Sequence, residues 1–104
     1  MIEEKLPKLL AMLQTRPNDS FLLYAVAMEY KKRGEQAAAI DWFSRAIDVD
    51  PNYCYAYYQR GQVQEQSGEM ALARQSYEAG IDAARRMNDE HARSELETAL
   101  SMLS

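Results

Sequence analysis

Apolar residues recur along this chain at helical spacing, in stretches separated by short polar breaks. Leu6, Leu9, Leu10 and Leu13 lie three and four positions apart, the signature of one buried helix face. Pro7 lacks a backbone donor and fits only the opening turn, so the spacing predicts a helix that ends near Thr15. Arg16-Pro17-Asn18-Asp19 then breaks the chain, because Pro17 disfavours helical geometry before it and Asn18 or Asp19 supplies a cap. Leu23, Val26, Ala27 and Tyr30 define the next buried stripe, in a helix running to about Lys32. Lys31-Lys32-Arg33 match the negative end of that helix, and Gly34 offers a left-handed stop. A partner helix from about Gln36 to Val49 places Ala39, Ile40, Phe43, Ala46 and Ile47 on one face and ends at Asp50-Pro51-Asn52.

The arrangement then repeats. Pro17-Asn18 recurs as Pro51-Asn52, an interval of 34 residues, and at the same interval Tyr24 matches Tyr58, Gly34-Glu35 matches Gly68-Glu69, and Ile47-Asp48 matches Ile81-Asp82. A period of this length marks an α-helical repeat array, which presents a surface rather than enclosing a reaction chamber. The second unit therefore reads as a helix from about Asn52 to Gln66, a turn at Ser67-Gly68 and a helix from about Glu69 to Met87. Tyr53, Tyr55 and Tyr57 alternate in a way that locally favours a strand, but the aligned segment of the first unit is helical and the repeat overrides them. No Pro-Asn restart occurs at Arg85. Asn88-Asp89 supplies a break instead, and Ala92, Leu96, Ala99, Leu100 and Leu103 form the stripe of a last helix that covers the end of the stack, or exchanges with a second copy.

Composition narrows the function. With 104 residues the chain holds one core. Its 12 Lys+Arg against 16 Asp+Glu give no basic footprint for a phosphate backbone, so nucleic acid is not an expected partner. Met1-Ile2-Glu3-Glu4-Lys5 lacks the order of a secretory signal, no apolar run is long enough to span a bilayer, and Cys54 has no second cysteine to pair with. No membrane association is expected, and the cytoplasm is the expected location.

These residues resemble the tetratricopeptide repeat, whose pattern is W-x-x-L-G-x-x-Y, then A-x-x-x-F, then P. The first unit reads Leu23-x-x-Val26-Ala27-x-x-Tyr30, then Ala39-x-x-x-Phe43, then Pro51. The second reads Tyr57-x-x-Arg60-Gly61-x-x-Gln64, then Ala73-x-x-x-Tyr77, with Gly80 aligned to Ala46. Arg60, Gln64 and Arg85 depart from the pattern and imply a looser second unit. The resemblance implies an all-α, right-handed solenoid of stacked antiparallel helix hairpins with about six helices. It divides the single domain 1–104 into a leading half-repeat (1–16), repeats at 17–50 and 51–87, and a capping helix (88–104). It also implies a protein-binding module.

A second stripe on the first helix of each unit, Phe21, Tyr24 and Met28, then Tyr55, Tyr58 and Gln62, resembles the positions lining the family's concave groove. Tyr, Phe and Met suit that task through contact area and adaptability. Packing between helices is the alternative for Tyr24 and Tyr58. Lys31 and Lys32 read as solvated helix-end charges, with a basic rim to the groove as the alternative, and Trp42 as half-buried against a neighbouring helix rather than as an anchor on the convex side. The family's carboxylate-clamping activity does not carry over, because Tyr24, Met28 and Gln59 occupy much of that surface.

Chemistry is sparse elsewhere. His91 has no cysteine or second histidine nearby, Cys54 has no histidine at a catalytic spacing, and no glycine-rich phosphate loop occurs. No catalytic, metal or cofactor site is expected. The sequence thus points to an adaptor that binds a segment of another protein, with self-association of the same face as the alternative.

Overall fold

The structure, a computed structural model, describes residues 5–103. Met1, Ile2, Glu3 and Glu4, read above for a targeting signal, lie outside the described residues. The chain forms α1 (Lys5–Thr15), α2 (Ser20–Lys32), α3 (Gln36–Val49), α4 (Cys54–Gln66), α5 (Met70–Arg86) and α6 (Glu90–Ser101). Among the described residues there is no strand.

Local chemistry sets the boundaries. The carboxylate of Asp19 accepts the Leu22 N–H at 3.2 Å ahead of α2, and that of Asp89 accepts the Ala92 N–H at 3.0 Å ahead of α6, each satisfying a donor that the helix leaves unpaired. Gly34 and Gly68 take the left-handed conformation, with φ of 77° and 81°. Gly34 N–H then reaches the Lys31 carbonyl and Glu35 N–H the Tyr30 carbonyl, both at 3.0 Å, and Gly68 and Glu69 repeat the pattern at the end of α4. The turn before α4 is longer than the sequence predicts. Asp50 accepts from Asn52 N–H through its side chain and from Tyr53 N–H through its carbonyl, at 3.1 and 3.0 Å, which holds Asn52 outside the helix. Glu69 and Met87, expected inside the following helix, are its flanking caps.

The missing proline shows its effect in α5. Helix α3 stops ahead of Pro51, whereas α5, with Arg85 at the aligned place, runs to 17 residues against 14. It closes instead at Asn88, a left-handed residue with φ of 55°. Tyr53, Tyr55 and Tyr57 fan out around the start of α4 instead of alternating between two faces: Tyr53 stacks on Tyr24, Tyr55 reaches α6, and Tyr57 turns back to donate to the Pro51 carbonyl at 2.8 Å.

The core is divided along the stack. One cluster joins α1, α2 and α3 through Leu6, Leu13, Leu22, Val26 and Ala46, and a second places Phe43 against Ala27, Ala39 and Val63. The third joins α4, α5 and α6 through Tyr57, Tyr77, Ile81, Ala92 and Leu96, with the last two belonging to the helix expected to cover the end. Each layer touches only its neighbours, as in other repeat arrays. Two helical glycines leave room that side chains of neighbouring helices fill. A Cβ on Gly61 would lie 2.4 Å from the Tyr77 ring, and one on Gly80 would lie 2.8 Å from both Leu96 and Tyr57 Cβ.

Arg60 and Gln64 stand where the repeat pattern expects apolar or aromatic groups, and the structure joins them in a polar network. Arg60 donates to Ser76 at 3.0 Å and to Ser44 at 3.1 Å, and Ser76 donates to Gln64 at 2.6 Å. Burial pushes the Arg60 guanidinium below its ordinary pKa. Its hydrogen bonds tie α4 to both α3 and α5, and among the described residues no buried side-chain nitrogen or oxygen lacks a partner. Satisfied polar groups of this kind specify one packing.

Asn88 tests the boundary argument. Asn88→Val should lower unfolding stability by about 1–2 kcal/mol, because a branched side chain resists the left-handed region, while Asn88→Gly should be tolerated or stabilising. Urea unfolding midpoints of the two variants measure this, and an unchanged midpoint for Asn88→Val would remove the cap from the account.

Candidate protein-binding groove

Helices α2, α4 and α6 are bridged to one another along one side of the stack. Lys31 of α2 donates to Gln62 of α4 at 3.0 Å and also to Gln59. Tyr55 of α4 donates to Glu95 of α6 at 2.7 Å. Between α4 and α6 lies an open cavity of about 390 Å³, walled by Tyr58, Gln62, Glu65 and Tyr77 on one side and by Ser94, Glu95, Thr98, Ala99 and Met102 on the other.

The six residues expected to line a groove divide by position. Tyr58 and Gln62 face the cavity, with the Gln62 amide donating to the Tyr58 hydroxyl at 3.2 Å. Tyr55 bounds the region through Glu95. Tyr24 sits between helices, its ring stacked on Tyr53 at 4.8 Å and edge-on to Phe43 at 5.6 Å. Met28 is half-buried beside the Phe43 cluster. Phe21, 69% exposed, stands at the start of α2, and the cavity takes none of these last three.

Three further side chains bear on the sequence reading. Lys31 is not a solvated helix end: it is half-buried across α2 and α4, and burial lowers its ammonium pKa. Lys32 does point outward and pairs with Glu29 at 3.3 Å. Trp42 is half-buried, as expected, lying face to face with Tyr30 and under the Arg45 guanidinium at 4.2 Å.

Sequence reasoning missed the α6 wall because it read that helix as a cover for the end of the stack, or a segment exchanged with a second copy, and not as a wall of the groove. The signal was present: Ser94, Glu95, Thr98 and Met102 recur at helical spacing and fall on a different face from Ala92 and Leu96, with Ala99 at the edge of the buried stripe. The cavity also gains two carboxylates. Glu65 accepts the Tyr77 hydroxyl at 2.9 Å and Glu95 that of Tyr55. These bonds favour the neutral phenols: the Glu95 bond first, then burial, pushes Tyr55 up to about 12, and burial followed by the Glu65 bond raises Tyr77 further.

Two family profiles match the chain, one described as TPR repeat over residues 28–68 and one as tetratricopeptide repeat over residues 55–86. A crystal structure of a tetratricopeptide repeat domain protein from Salinibacter ruber is 32% identical, with a TM-score of 0.73, covering 79% of this chain and 91% of that one. The chain belongs to the tetratricopeptide-repeat family.

Other members extend the likeness over nearly the whole length. A TPR repeat-containing protein of Pseudomonas aeruginosa is 27% identical over 103 residues, 99% of this chain and 95% of its own. The solution structure of a Bordetella parapertussis protein superposes with a TM-score of 0.84 at 28% identity, covering 98% of this chain and 89% of that one. Tetratricopeptide repeats are in general protein–protein interaction modules without catalytic activity of their own. Among the described residues, no helix of this TPR protein is long and apolar enough to cross a membrane.

The tyrosine–carboxylate bonds predict a response to alkali. A phenol raised from about 10 to about 12 in the fold stays protonated there while the unfolded chain loses its proton. The contribution is therefore complete below pH 10 and fades as pH climbs through 12. Unfolding stability should fall across that interval, and Tyr55→Phe should make the fall shallower. Chemical unfolding at a series of pH values measures it, and an unchanged slope would mean that the Tyr55 bond is absent in solution.

Proposed function

We propose that this TPR protein is an adaptor that binds a segment of another protein along the α2–α4–α6 face. The observation that carries the reading is the cavity between α4 and α6, continuous through Gln62 with the Lys31 bridge to α2. A face already tied together by side-chain bonds loses little freedom when a ligand arrives, which favours affinity. Residues 17–50 and 51–87 serve as the two repeats, 1–16 as a leading half-repeat and 88–104 as the cap whose free side completes the groove. Tyr55, Tyr58 and Gln62 form its central contacts, and Phe21, Tyr24 and Met28 extend the surface toward α2. A cytoplasmic setting fits a chain whose lone cysteine, Cys54, is a free buried thiol.

Affinity capture from the native lysate tests this with two variants whose helical content is first checked by circular dichroism. Partners of the wild type should be lost with Phe21→Ser/Tyr55→Ser and kept with Trp42→Ala, whose side chain does not line the cavity. Partners indifferent to the first variant would place binding elsewhere. Light scattering over a concentration series addresses self-association: a stable dimer that dissociates when Tyr55 and Met28 are made polar would replace the adaptor reading.

A further inference from the structure

The cavity between α4 and α6 brings together two acceptors on different helices. Glu65 and Glu95 each use one carboxylate oxygen, Oε1, to accept a tyrosine hydroxyl, and Oε1 of Glu95 also lies 3.4 Å from His91 Nε2. Among the described residues, neither Oε2 has a hydrogen-bond partner and neither glutamate pairs with a lysine or arginine. Most other carboxylates of α5 and α6 have a basic partner: Glu97 pairs with Arg85 and Arg93, Glu90 with Arg93, and Asp82 with Arg85, whereas Glu78, which does not line this cavity, has none among the described residues. The cavity therefore holds two oriented negative charges that no lysine or arginine among the described residues pairs with, beside the Tyr58 ring.

The other end of the face has the opposite sign. Lys31 is held by the neutral oxygens of Gln59 and Gln62 and has no carboxylate within salt-bridge distance among the described residues. A segment lying along the face therefore meets positive charge between α2 and α4 and negative charge between α4 and α6. We infer that the α4–α6 cavity receives a basic side chain, arginine or lysine, from the bound segment, with Glu65 and Glu95 as its acceptors. Charge-assisted hydrogen bonds to two fixed carboxylates favour this occupant, and an aromatic face beside them adds attraction for a cation. A carboxylate or an apolar side chain in the same place would leave the two charges uncompensated. The inference rests on the adaptor reading and deepens it by stating what the partner segment carries.

Selection of a naive random-peptide display library on the full chain tests it, followed by fluorescence anisotropy with a labelled selected peptide. Selected peptides should share an arginine or lysine at one position. Replacing that residue by glutamine, or making Glu65→Gln or Glu95→Gln in the protein, should each weaken binding about tenfold. The two kinds of change should be non-additive, added salt should weaken the wild-type complex, and Asp82→Asn should change little. Glu95→Gln, on the outermost helix, keeps the test valid if Glu65→Gln disturbs folding. Peptides that lose binding with Phe21→Ser/Tyr55→Ser yet share no basic residue, or whose basic residue is insensitive to both glutamine variants, overturn this inference and leave the groove standing. Failure to select any peptide, or binding indifferent to Phe21→Ser/Tyr55→Ser, overturns both.

Discussion

The fold depends on how closely helix backbones approach at a few positions without side chains or with only a methyl. At Gly61 the Tyr77 ring occupies the space where a Cβ would stand, and at Gly80 the Leu96 side chain and Tyr57 Cβ do the same. Ala27, Ala39, Ala46 and Ala73 are fully buried where the corresponding contacts form. Close packing of this kind gains dispersion energy over many atom pairs and tolerates little added volume. It also sets the groove. Tyr77 must lie against Gly61 for its hydroxyl to reach Glu65, and Leu96 must seat against Gly80 to hold the α6 wall beside α4. The surface offered to a partner follows from the interior contacts.

Polar groups share in the interior. Arg60, Gln64, Ser76 and Ser44 form one connected set spanning α3, α4 and α5. Placing an arginine where the repeat pattern prefers leucine would be costly if its donors went unmet. Here they reach two hydroxyls, and the guanidinium also lies 5.7 Å from the Tyr57 ring centre. The departure from pattern gives the second repeat directional ties to its neighbours, where an apolar side chain would give only contact. The structure shows an exchange of apolar for polar contacts at these positions and not the expected loosening.

Much of this was legible in the residues because the governing interactions are local or periodic. Pro17, Gly34, Pro51 and Gly68 act on their own backbone, so the breaks followed from composition, and the 34-residue recurrence carried the helical assignment through the tyrosines. The start of α4 was placed two residues early because the Asp50 turn is a side-chain effect with no periodic trace. The α6 wall, the seat of Lys31 and the tyrosine–glutamate bonds depend on which helices become neighbours across the stack. Lys31 and Gln62 are 31 positions apart, and Tyr55 and Glu95 are 40 apart. A helical wheel shows that such residues share a stripe but not which stripe they meet.

The most direct test of the packing claim is a double-mutant cycle in equilibrium urea unfolding, with Gly61→Ala made alone and in a Tyr77→Leu background. In the wild-type background the added methyl should cost about 1–3 kcal/mol through overpacking. With the ring removed, the cost should vanish or reverse, because alanine is the better helix former by about 1 kcal/mol. An equal effect of Gly61→Ala in both backgrounds would contradict the account, since Tyr77 would then not be what Gly61 makes room for.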